Sequence, residues 1–128
     1  MLKWVLFLLL TSGASAQEFY MSDPGRICTY AEGSVIAKAE GRPMLILIKQ
    51  KVCPPCAVAR DLLKQLQRDK LLRNCVIVEI MYTEPKSKEL MVGTTTPQMF
   101  LLDGPRKHRL LRYDRVTILE AVGSFVSR

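Results

Sequence analysis

Histidine is nearly absent from this chain of 128 residues, which carries one. That residue, His108, is no catalytic signal by itself, and Ala57 rather than histidine follows the Cys-x-x-Cys at residues 53–56, so the c-type haem attachment motif is missing. A second close pair of ligands, which structural zinc would need, is also missing, because Cys28, Cys75 and His108 are widely separated. No metal and no cofactor are expected. The apolar run Trp4–Leu10 falls well short of the roughly 20 residues that span a bilayer as a helix, which argues against a permanent membrane anchor. Repeats and low-complexity tracts are absent. Four cysteines are too few for a disulfide-rich miniprotein and enough for one redox or metal site. What remains is a composition of 48% hydrophobic and 24% charged residues, enough to fill one core and unlike a disordered chain or a coiled coil. The net charge of +7 favours acidic partners or anionic surfaces without naming one.

Residues 1–16 read as a secretory signal: Lys3 supplies a positive start, Trp4–Leu10 the apolar stretch, and Ala14-Ser15-Ala16 a small-residue cleavage site. The folded domain is then residues 17–128. No cysteine occurs from Met1 to Ile27, which excludes a lipid-modified cysteine at the start of the processed chain. The last residues, Phe125-Val126-Ser127-Arg128, are not an endoplasmic-reticulum retention signal, so a bacterial periplasm, or secretion otherwise, is the expected destination. All four cysteines would then work in an oxidising compartment, where a disulfide persists and thiol chemistry needs a dedicated electron source or sink.

Along the domain, an irregular arm from Gln17 to Gly25 leads into a helix expected over Ile27–Glu40, broken by Gly41-Arg42-Pro43. Met44–Ile48 is a continuous apolar run, the pattern of a strand buried on both faces of a sheet. From Pro54 to Leu72, Val58, Leu62, Leu63, Leu66 and Leu71 or Leu72 follow helical spacing. Cys75–Met81 reads as a second core strand and Pro85–Leu90 as a short helix or connection. Gln98–Leu102 and roughly Arg109–Tyr113 read as strands joined through Asp103-Gly104-Pro105. Asp114 can cap a last helix from Arg115 to about Val126, burying Val116, Leu119, Val122 and Phe125 or Val126. A βαβ unit followed by a ββα unit implies an α/β domain.

Cys53-Pro54-Pro55-Cys56 stands where a strand ends and a helix begins. At such a helix N-terminus, unsatisfied N–H groups and the helix dipole stabilise a Cys53 thiolate, which makes it the nucleophile. Cys56, one turn in, is placed to resolve the mixed disulfide. A purely structural bond here would close a very small loop and remove little entropy from the unfolded chain, so redox work explains the pair better.

With this motif the chain resembles the thioredoxin superfamily over nearly all of residues 26–128. Forty-four residues beyond Cys53, Thr96-Pro97 precedes a strand, as the cis-proline of that family does, and Thr96-Pro97-Gln98-Met99-Phe100-Leu101-Leu102-Asp103-Gly104 is similar to the family's sequence there. The resemblance implies a thioredoxin fold, with a central mixed sheet flanked by helices, and a Thr96–Pro97 loop that faces the nucleophile and holds an extended substrate segment. It also shows departures. Val52 replaces the usual aromatic residue, Leu47 the buried aspartate, and Val78 its lysine partner.

Pro54 and Pro55 contribute no N–H, so only donors from Cys56 onward reach the Cys53 sulfur, and the thiolate should be less stabilised than in strongly oxidising relatives. Lys49 and Lys51 read as solvated charges. Export favours a structural disulfide between Cys28 and Cys75, the alternative being two buried thiols. The basic run Arg106-Lys107-His108-Arg109 reads as a solvated hairpin face rather than a nucleic-acid site. The expectation is an exported thiol-disulfide oxidoreductase, a monomer, acting on cysteine-containing proteins with a redox partner protein as electron donor or acceptor, and more reductant than strong oxidant. The alternative is a binding module of the same fold that uses its cysteines to hold a metal or a partner protein.

Overall fold

The computed structural model describes residues 26–127; the expected signal segment and the arm 17–25 lie outside them. The chain runs α1 (Tyr30–Glu40), β1 (Met44–Lys49), α2 (Pro54–Arg68), β2 (Val76–Met81), α3 (Pro85–Leu90), β3 (Gln98–Asp103), β4 (Arg106–Leu110) and α4 (Arg115–Val126). The strands form one sheet in the order β2-β1-β3-β4, with β1 and β2 parallel and the other two pairings antiparallel.

Alternation along the central strands sorts the core into two layers. Leu45, Leu47, Ile77, Met99 and Leu101 point to one face and meet Ala59, Leu63 and Leu66 of α2 and Ile118, Val122 and Phe125 of α4. Ile46, Ile48, Val78, Ile80 and Phe100 point to the other and meet Ala37 of α1 and Leu90 of α3. Both faces of β1 are covered, as its uninterrupted apolar run requires. Each fully buried aliphatic side chain stabilises this arrangement by about 1.5–3 kcal/mol.

Four expectations shift. The first helix starts at Tyr30 rather than Ile27, because the backbone of Cys28 is hydrogen-bonded to β2, donating to Ile77 O at 2.9 Å and accepting from Glu79 N at 3.0 Å. Thr29 then caps α1 with Glu32 in a capping box. Helix α2 stops at Arg68, and Lys70 takes a positive φ of 61°. Val58 is 70% exposed, so the buried stripe is Cys56, Ala59, Leu63 and Leu66. Strand β4 comes three residues earlier than expected: Asp103 pairs with Arg106, leaving a two-residue loop whose first position, Gly104, has φ 57°. Helix α4 has the expected bounds and buries Val122 and Phe125 as expected, but Ile118 joins them while Val116 is 61% exposed.

Candidate functional site

The strand-to-helix junction after β1 places Cys53 as the N-cap of α2 and Pro54 in its first turn, where a proline loses no helical hydrogen bond. Cys53 and Cys56 are joined by a disulfide. Cys56 is 3% exposed and belongs to the buried face of α2, whereas Cys53 is half-buried and reachable from solvent. The Cys56 N–H donates to Cys53 Sγ at 3.2 Å, and the two prolines between them supply no donor.

The loop before β3 meets this sulfur. The Thr96–Pro97 peptide bond is cis, and Thr96 Oγ1 lies 3.7 Å from Cys53 Sγ. Cys53, Cys56, Thr96 and Pro97, far apart in sequence, thus share one site. Val52, Pro54 and Pro55, beside the cysteines in sequence, and Val92 to Thr95, which lead into Thr96, are all exposed.

Cys28 and Cys75 do not join this site or each other. No disulfide links them, and both are buried. Cys28 packs into the core layer under α1 and α3, Cys75 into the layer under α2 and α4, so the sheet separates their side chains. Of the two alternatives, the pair is two buried thiols and not a structural disulfide. Burial pushes the Cys75 thiol up to about 12, partly countered by the Arg42 charge, so it is a core residue and no nucleophile. His108 sits exposed on β4, paired in register with Leu101. Among the described residues, no group of three or more His, Cys, Asp or Glu could hold a metal ion.

Three tertiary polar contacts were not read from the sequence. Glu79, 13% exposed on β2, accepts ion pairs from Lys49 of β1 and from Arg60 Nε of α2, the latter at 2.7 Å. Lys49 is therefore not a freely solvated charge. Glu79 is also the residue in register with Leu47, while Val78 pairs with Ile46 and faces the opposite layer. Its only sequence signal is the charge interrupting Val76-Ile77-Val78-Glu79-Ile80. Tyr113, expected at a strand end, donates from its hydroxyl to Pro97 O at 2.9 Å. Gln98, fully buried, is hydrogen-bonded to the loop ahead of Thr96, and one polar residue opening an apolar strand was the available clue.

No family model matches the sequence, and no curated protein matches it. Solved structures do match. Chloroplastic thioredoxin z is similar over 80% of this chain and 96% of its own, with a TM-score of 0.63 at 16% identity. The thioredoxin from Thermus thermophilus is similar over 78% of this chain and 85% of its own, with a TM-score of 0.58 at 21% identity. Deadhead, a germline-specific thioredoxin from Drosophila melanogaster, covers 77% of this chain and 95% of its own, with a TM-score of 0.61 at 18% identity. The architecture, with its mixed sheet flanked by helices, is the thioredoxin fold.

Proposed function

We propose that this thioredoxin-fold chain is an exported thiol-disulfide oxidoreductase that exchanges disulfides with cysteine-containing proteins and works as a reductant rather than a strong oxidant. One observation carries the reading: a disulfide at the N-terminus of α2 with one accessible sulfur, Cys53, and one shielded sulfur, Cys56, facing the Thr96–Pro97 loop. In the reduced protein the Cys53 thiolate attacks one sulfur of a substrate disulfide, forming a mixed disulfide and releasing the other substrate sulfur as a thiolate. Cys56, deprotonated, then attacks Cys53 Sγ, which restores the Cys53–Cys56 bond and frees the second substrate thiolate. The substrate gains two electrons, and a redox partner protein supplies two more to reduce the Cys53–Cys56 disulfide again. The backbone beside Thr96 and Pro97 is the surface that receives the extended substrate segment.

The reductant direction follows from the donors. Pro54 and Pro55 offer Cys53 no N–H, so the one backbone donor seen at its sulfur is the Cys56 amide, with the Thr96 hydroxyl 3.7 Å away. A weakly stabilised thiolate makes the reduced form the less favoured one and the protein a better electron donor. Residues 1–16 support the exported part of the reading.

The test is the reduction potential of the Cys53–Cys56 couple in graded redox buffers, combined with trapping. A potential near about −270 mV is expected, and one near about −120 mV would refute the reductant role. The Cys56→Ser variant should accumulate a reductant-sensitive mixed disulfide with protein substrates through Cys53. Failure of any adduct to form would refute the oxidoreductase itself.

A further inference from the structure

Thr96 is flanked by two carbonyls, and each is held by a side chain from elsewhere in the fold. Behind it, Pro97 O accepts the Tyr113 hydroxyl at 2.9 Å. Ahead of it, Thr95 O accepts Gln98 Nε2 at 2.9 Å. Gln98 does more than this one bond. Its Nε2 also donates to Val92 O at 2.8 Å, and its Oε1 accepts from Val92 N at 3.0 Å.

One amide therefore grips both ends of the stretch Val92-Gly93-Thr94-Thr95, whose residues are all exposed. The grip comes from a rigid base. Gln98 opens β3, is paired in register with Ile48 at the end of β1, and is 0% exposed. Both Nε2 hydrogens and one Oε1 lone pair are used, which is an unusual expense for a surface loop. A buried amide of this kind is costly unless every bond is made, so the loop and the side chain fix one another. Nothing in the bond chemistry at Cys53 needs this arrangement, because Gln98 makes none of the contacts recorded at either sulfur.

We infer that Gln98 is a positioning residue for substrate: by pinning the Val92–Thr95 loop it pre-forms the groove wall beside Thr96, and so sets affinity for protein disulfides without setting the reactivity of Cys53. This rests on the oxidoreductase reading above. A pre-formed wall spares the ordering of the loop when a segment docks, which appears in KM for a large substrate and not in reaction with a small reagent.

The test compares Gln98→Glu and Gln98→Leu with the wild-type protein. Gln98→Glu keeps the shape and the acceptor for Val92 N but loses both donors; Gln98→Leu loses all three bonds. KM for reduction of insulin should rise about tenfold in either variant, the order expected when buried partners are left unpaired. Alkylation of reduced Cys53 by iodoacetamide should change less than about twofold, since the reagent needs no groove. Unchanged KM in Gln98→Glu, or an equal loss in both assays, would overturn the inference. A measurement on the wild-type protein guards against variants that do not fold: the Val92 amide should exchange with solvent far more slowly than those of Gly93 and Thr94, and equal exchange at the three would overturn the clamp. The two readings fail separately. Wild-type protein inert toward insulin refutes the oxidoreductase reading, whereas active wild type with an indifferent Gln98→Glu refutes the clamp alone.

Discussion

Two glycines within helices give opposite expectations for the same substitution. Replacing glycine by alanine inside a helix favours the folded state by about 0.8–1 kcal/mol when nothing else changes. At Gly123 of α4 a β-carbon would meet nothing within 4 Å, so Gly123→Ala should gain up to about 1 kcal/mol. At Gly33 of α1 the same carbon would overlap Cγ2 of Val78 and lie 3.6 Å from Cγ1 of Val76. Val78 cannot turn aside, being β-branched, fully buried and, on β2, paired with Ile46 of β1. Helix α1 must lift from the sheet, and overpacking of this kind costs about 1–3 kcal/mol. Set against the helical gain, Gly33→Ala should lose up to about 2 kcal/mol, leaving the two variants about 1–3 kcal/mol apart. Urea unfolding of both variants reads the difference as a shift in midpoint at constant slope. Alkylation of reduced Cys53 should be unaffected in Gly33→Ala, since α1 packs on the face of the sheet away from α2. A Gly33→Ala variant as stable as Gly123→Ala would refute the close approach of α1 to β2.

Two further outcomes follow from buried groups. The Cys75 thiol is raised from 9.0 to about 12 by burial, so the unfolded chain gives up its proton first; the stability this provides is complete below pH 9 and declines as pH rises toward about 12. Chemical denaturation across that window should show a shallower decline in Cys75→Ala, and an identical slope would show that Cys75 does not titrate as stated. Removing the shared carboxylate in Glu79→Ala strands Lys49 and Arg60, which are exposed enough to rehydrate in part, so a loss of about 1–2 kcal/mol is expected. A double-mutant cycle with Arg60→Ala should give a smaller combined loss than the sum, and strict additivity would show that the pair contributes nothing.

The elements that the sequence made legible are those governed by local chemistry. Met44–Ile48 announces a doubly buried strand by its lack of polar residues, and the Cys-Pro-Pro-Cys after it marks the helix start because a proline is favoured in the first turn. The distance from Cys53 to Thr96-Pro97 carried information only through the family resemblance; no local rule brings the two together. What stayed hidden depends on tertiary partners. Cys28 looks helical beside Tyr30-Ala31-Glu32, yet β2 captures its backbone. Strand β4 is written in arginine, lysine and histidine, and only its pairing with β3 makes it a strand. Gln98 and Tyr113 act on main-chain carbonyls, whose positions no pattern of side chains reveals.

The borders of the sheet are finished in two different ways. Along β2, the backbone of Cys28 occupies part of the outer rim with two hydrogen bonds. Along β4, the rim carries Arg106, Lys107, His108 and Arg109 in succession. An open rim is a template on which a foreign extended chain can crystallise into a growing stack. Here a second copy presenting the same rim brings cation against cation, and that repulsion weakens as salt screens it. The basic strand thus works against edge-to-edge stacking of two copies.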